Sequence, residues 1–307
     1  MSAAKRYHLS ASGWVKVALI ALLGLVIVGG GAFSFWRFGD MLPFFHVNGF
    51  QMGPTKNSLG AHDWRLGAGS QNLSSSGALK QIRCQWDVSE LKLVVVPGGQ
   101  LSVSESSPEV LRPAQQVHWA LDDGTLYLLS DLETQTGLWQ PQDKTVVVDL
   151  PVSTAGLANA DFKLGSGDLD LGALQAQKLT CDCGVGDVTG DGVVAQELTV
   201  DGGVGDARLS GSFSNITENG GVGDVNISSA VAPQSIQAVC GVGDSDFKIA
   251  VSSGFSATVK TGVGDFDCGF ATTRTKVGGA QVYRFGDGSR SYDFTVGVGD
   301  LTLAPLS

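Results

Sequence analysis

Seven aspartates have the spacing that could do chemistry. The tetrapeptide Gly-Val-Gly-Asp ends at Asp187, Asp206, Asp224, Asp244, Asp265 and Asp300, and the variant Gly165-Ser166-Gly167-Asp168 opens the series. The successive intervals are 19, 19, 18, 20, 21 and 35 residues. A carboxylate at one fixed position of a stacked repeat has two readings. Oxygen ligands lined up at about 5 Å would suit a hard cation such as Ca2+, which makes Asp168, Asp187, Asp206, Asp224, Asp244, Asp265 and Asp300 its candidate ligands. Alternatively, each side chain accepts backbone N–H groups at its own corner, as Asx-turns do, and the role is structural. The structural reading is preferred. The nonapeptide of Gly-rich Ca2+ rolls is half as long, and it separates Gly from Asp.

The other reactive side chains make no constellation. His8, His46, His62 and His118 do not cluster, and no Gly-x-Ser-x-Gly elbow, His-Glu-x-x-His pair or phosphate loop occurs. Cys181, Cys183, Cys240 and Cys268 fall on inward positions of the repeat and read as small core thiols. Cys183 and Cys240 share a column three rungs apart, about 14 Å, too far for a bridge. Cys84 has no assigned place, and an exported location would allow it a disulfide. Arg208 beside the Asp column is the one loose catalytic candidate and reads as a solubilising charge. No catalytic residue, cofactor or confident metal site is assigned.

The elements that must position these residues are strands. One and three residues after each Asp stand Leu169/Leu171, Val188/Gly190, Ala207/Leu209, Val225/Ile227, Ser245/Phe247, Phe266/Cys268 and Leu301/Leu303, with a polar residue between. That alternation is a strand with one buried face. Before the Asp, Leu179-Cys181-Cys183-Val185, Leu198-Val200-Gly202-Val204 and Ile236-Ala238-Cys240-Val242 also point one way, so the tetrapeptide valines are expected inside. The parity switches across Gly-Asp, which needs a bend. Gly167, Gly186, Gly205, Gly223, Gly243, Gly264 and Gly299 are the expected corners, since glycine supplies the backbone freedom. No repeat buries its apolar face alone, so the repeats must stack into parallel ladders. The expected fold is all-β: a right-handed parallel β-solenoid of 19–20-residue rungs over 164–307. A capping hairpin is expected at 280–296, inside the 35-residue interval.

Upstream, 81–163 reads as a β-strand lead-in. LKLVVV and LSVSE flank Pro97-Gly98-Gly99, VHWAL and TLYLLS flank Asp122-Asp123-Gly124, and TVVVDLPV is a further strand. Both pairs carry hairpin signals. Residues 39–80 read as a tether, Ser- and Gly-rich over 67–77.

Residues 14–38 read as a transmembrane anchor. Val17 to Trp36 is twenty residues without a charge, about 30 Å of helix, enough for a bilayer core. Trp14 and Trp36 flank it, and Lys5, Arg6 and Lys16 precede it. Residues 1–13 are therefore the expected cytoplasmic tail and the remainder extracytoplasmic, in a single-pass membrane protein. A cleaved signal peptide ending near Gly30-Gly31-Ala32 is the rival reading.

Composition narrows the rest. Gly is 43 of 307 residues and charged residues are 16%. The net charge of −10 becomes −14 once the four cations before Asp40 are set aside. An acidic exported part argues against nucleic acid as a partner.

The residues VVVDLPV, GSGDLDLG, ELTVDGGVGDARLSG and FTVGVGDLTL resemble the bacterial "putative adhesin" β-strand repeat family over roughly 88–307. The resemblance implies an extracytoplasmic parallel β-solenoid of unsettled function, with no catalytic residues to carry over. The expected function is a non-catalytic, adhesin-like interaction or scaffold module at the bacterial envelope. A protein or envelope glycan is the expected partner, with stacking on further copies left open. The alternative is an envelope-stress sensor acting through a membrane partner. A carbohydrate-active β-helix enzyme ranks below both.

Overall fold

The computed structural model describes residues 59–71, 73, 79–86, 89–96, 100–130, 144–151 and 156–306. The expected tail, the anchor and most of the tether lie outside these residues. No helix among the described residues is long and apolar enough to cross a membrane.

The seven rungs that carry a Gly-Asp step turn at it, and the strands on the two sides of that corner build two ladders, which two further rungs extend at the N-terminal end. The ladder before the corner has a parallel middle. It runs Thr125–Ser130, Gln81–Trp86, Leu157–Ser166, Gln175–Val185, 193–201, 212–219, Ser235–Val242, Arg290–Val298 and Gly254–Val263. The ladder after the corner runs Thr145–Leu150, Glu90–Val95, Leu169–Asp170, 188–190, 207–211, Val225–Ser229, Ser245–Ile249, Leu301–Pro305 and Phe266–Cys268. Inward residues of both ladders form one core, including Leu179, Val200, Leu209, Ile227 and Phe247. Its C-terminal third is aromatic. Phe294 lies 5.5 Å from Phe247 and 5.9 Å from Phe266, and Phe255 lies 5.0 Å from Tyr292. Burying such a side chain contributes about 2–3 kcal/mol, so a few rungs hold together what one could not.

The rungs are not stacked in chain order. The last one, Arg290–Val298 with Leu301–Pro305, sits between the Asp244 rung and the Asp265 rung. The first rung is enclosed in the same way: Gln81–Trp86 and Glu90–Val95 lie between the 125–150 segments and the Leu157–Asp170 rung. At the C-terminal end the chain builds the outer rung first and returns to fill the place inside it; at the N-terminal end it builds the inner rung first, lays 125–150 outside it and crosses back to 157–170.

Four expectations are corrected. The parallel stack begins at Gln81 instead of 164, so most of the lead-in is solenoid. Glu90–Val95 and Leu101–Ser106 are not a hairpin, because Thr145–Leu150 pairs with both, parallel to one and antiparallel to the other. The expected cap at 280–296 is not one hairpin either. Arg290–Val298 is an interior rung strand, while Ala280–Gly286 pairs antiparallel with Gly254–Val263 and with Thr273–Val277 around Gly278-Gly279. Finally, Gly69–Gln71, read as linker, is a strand on Leu101–Ser106. The hairpin of His118–Asp122 with Thr125–Ser130 forms as its turn residues dictate, with Asp123 and Gly124 at positive φ.

Candidate functional site

The corner brings the seven aspartates into one column, and their order is the spatial one. The Asp187 N–H donates to Asp168 Oδ1 at 2.9 Å, Asp206 N–H to Asp187 Oδ1 at 2.8 Å, and Asp224 N–H to Asp206 Oδ1 at 2.8 Å. The series continues from Asp244 to Asp224 at 2.9 Å, from Asp300 to Asp244 at 3.0 Å, and from Asp265 to Asp300 at 3.0 Å. Six of the seven carboxylates, all but that of Asp265 at the end of the column, thus accept from the next rung's backbone instead of closing a turn within their own. The bond compensates the repulsion of stacked like charges. Among the described residues, no group of three or more His, Cys, Asp or Glu is arranged to hold a metal ion. Arg208 is engaged with Asp206, its guanidinium 2.6 Å from Oδ2.

The column requires the glycine before each Asp. Gly186 has φ +134° and Gly205 φ +148°, a region closed to L side chains. A Cβ on Gly205 would also stand 2.1 Å from the carbonyl oxygen of Gly186. The tetrapeptide valine does not follow the expected inward alternation. Val185 is 38% exposed and Val204 43%, and of that column only Val242 is buried. Alternation ends at Cys183 and its equivalents, because the chain is already turning at the first glycine.

Cys84, Cys181 and Cys240 are buried, and Cys183 and Cys268 half-buried. Burial pushes the Cys183 thiol up to about 12 and raises those of Cys181 and Cys240 well above the ordinary value. They remain protonated and unreactive at neutral pH.

Outside the ladder before the corner, registered residues make a flat polar face. Asp161, Thr180, Thr199, Thr217 and Gln237 stand in one column, and Asn159, Lys178, Glu197, Asn215 and Ser235 in the next. Ser235 Oγ donates to Asn215 Oδ1 at 2.8 Å, which ties that column along the stack. A shallow depression of about 280 Å³ is lined by Ala158, Asn159, Asp161, Lys178 and Thr180. Side chains repeat every rung, about 4.8 Å, along a surface held rigid by parallel pairing. Such a face offers hydroxyl, amide and carboxylate groups at regular spacing and no reacting constellation. Sequence reading passed over these columns, although the Thr in Leu-Thr-Cys, Leu-Thr-Val and Ile-Thr-Glu marks one position of the repeat.

Glu218 was also passed over. Its siblings at the same inward position are Cys181, Val200 and Ala238. Aligning Ile216-Thr217-Glu218 on Leu198-Thr199-Val200 puts a carboxyl in an apolar column. Burial pushes it up to about 8, against a lowering by its hydrogen bond with Cys240 and with a further rise from Asp201.

The Toastrack DUF4097 family model matches residues 94–303. No curated protein matches the chain. Among solved structures, the chain is similar to a "putative adhesin" from Bacteroides fragilis, at 18% identity and TM-score 0.47, over 78% of this chain and 97% of that one. It is also similar to a "putative cell adhesion protein" from Clostridium sporogenes, at 15% identity and TM-score 0.38, over 79% of this chain and 100% of that one.

Proposed function

We propose that this chain, which belongs to the Toastrack DUF4097 family, is a non-catalytic, adhesin-like interaction module, carried outside the membrane by its N-terminal segment. The observation that carries the reading is the face built on Thr180, Thr199 and Thr217, flat and in register over successive rungs. A repetitive polymer fits a repetitive surface. An envelope glycan presents hydroxyls at regular intervals along an extended chain, and Thr, Asn and Asp side chains pair with hydroxyls as both donors and acceptors. Each contact is weak and solvated, so affinity comes from many of them along the stack.

The test is a pull-down of purified full chain by envelope polysaccharide, compared with a Thr180→Glu/Thr199→Glu/Thr217→Glu variant. Adding three like charges to one column should cut retention about tenfold, a loss of about 1.4 kcal/mol; because stacked like charges also lower the unfolding midpoint, retention is compared where circular dichroism shows both proteins folded. Equal retention by both proteins, or none by the parent, overturns the reading.

A further inference from the structure

Glu218 is 1% exposed, and its Oε2 has no hydrogen-bond partner among the described residues. It faces a hollow of about 20 Å³, room for about one water molecule, at the corner of two rungs. Glycine backbone forms much of the hollow's wall, at Gly186, Gly202, Gly203, Gly205, Gly221 and Gly223. The rungs lie close there: a Cβ on Gly202 would stand 2.7 Å from the Gly221 nitrogen.

Its surroundings hold no cation. From the strand Gln175–Val185 comes the Cys183 thiol, and from Val188–Asp201 come Val200 and the Asp201 carboxylate. The strand Ser235–Val242 contributes the Cys240 thiol, which is hydrogen-bonded to Glu218. The corner contributes Asp206 and the backbone of Gly203, Gly205, Gly221 and Gly223. A thiol can share a hydrogen bond with a neutral carboxylic acid. An ionised carboxylate here has no counter-charge and faces Asp201 of like sign.

We infer that Glu218 is a proton-operated latch on the middle of the solenoid: protonated, it lets the Gly202–Gly203 and Gly220–Gly221 corners close over the hollow, and ionised, it drives them apart to reach water. The direction follows from proton linkage. Below pH 4.5 folded and unfolded chains both carry the proton, so pH has no effect through this group. Between about 4.5 and 8 the unfolded chain has lost it and the folded chain keeps it, so stability falls as pH rises. Above about 8 the loss is complete. The acid side is the closed, stable side.

The experiment compares urea unfolding of the full chain with Glu218→Gln, which keeps the shape and cannot ionise, and with Glu218→Val, which copies Val200. The ratio of unfolding equilibrium constants, parent over variant, should rise by about tenfold per pH unit between pH 5 and 8 and be level at pH 9. Amide hydrogen exchange should show residues 200–224 opening more readily at pH 9 than at pH 6 in the parent only. A ratio independent of pH for both variants overturns the inference. So does a pH-dependent ratio without that local opening, because the group would then titrate only on global unfolding and latch nothing.

Discussion

The corner glycines and aspartates do different work at the same place. The glycine permits a positive φ and lets one rung's backbone lie on the next. The aspartate then caps the N–H that this close approach leaves facing outward. Two substitutions separate a strained backbone from a crowded one. Gly205→Ala meets both a forbidden φ and the Gly186 carbonyl oxygen, and should cost about 3 kcal/mol or more in urea unfolding. Gly192→Ala, at φ +76° with only the Ala173 Cβ at 3.5 Å, should cost about 1 kcal/mol. Equal losses would mean that stacking contacts do not matter at the corner. The Gly-Asp step was legible from the sequence because both residues have only one good use at a bend. The valine beside them was misread, since strict alternation carries no information about where a strand begins to turn.

At the scale of elements, the N-terminal end is fastened by a buried ion pair that no repeat pattern announces. Lys144 Nζ lies 3.1 Å from Glu105 Oε1 and donates to the Gln115 carbonyl at 2.7 Å, while Glu105 Oε1 also accepts the Val117 N–H at 2.8 Å. Burial lowers the Lys144 amine, and its partner carboxylate opposes the shift. The pair joins the strand Leu101–Ser106 to Lys144, the residue directly before Thr145–Leu150. Lys144→Met should cost about 3 kcal/mol in chemical unfolding, since Glu105 stays buried with its charge unmatched. Adding Glu105→Gln, which keeps an acceptor for the Val117 N–H, should restore most of that loss; a purely additive double variant would show that the two charges do not depend on each other. Hairpin signals were readable where the turn itself dictates pairing, as at Asp123-Gly124. They failed at Pro97-Gly98-Gly99, because a distant strand, Thr145–Leu150, competes for the same edges and wins.

For the whole molecule, the exchanged order of the terminal rungs sets how the stack is completed. The strand Leu301–Pro305 is an interior strand with neighbours on both sides, Ser245–Ile249 and Phe266–Cys268. Removing residues 301–307 therefore deletes a filling and not an end. It uncovers the buried Phe247 and leaves Phe266–Cys268 without its ladder partner. The truncated chain should lose protease resistance over 254–298 while 81–230 stays protected. Fraying confined to the last described rung in chain order would contradict the exchanged arrangement.

The sequence by itself determined the repeat, its period near nineteen residues, the corner and the inward faces after it. These are local properties: side-chain type at alternate positions and glycine where the backbone must bend. Only the tertiary structure decided which rung lies on which, where the stack starts, and that Glu218 is enclosed in a glycine-lined hollow. Rungs of near-equal length and pattern can pair in any order at almost the same local energy. The choice falls to contacts between residues far apart in the chain, such as Phe294 against Phe247 and Phe266, and to the need to cover the edges at both ends.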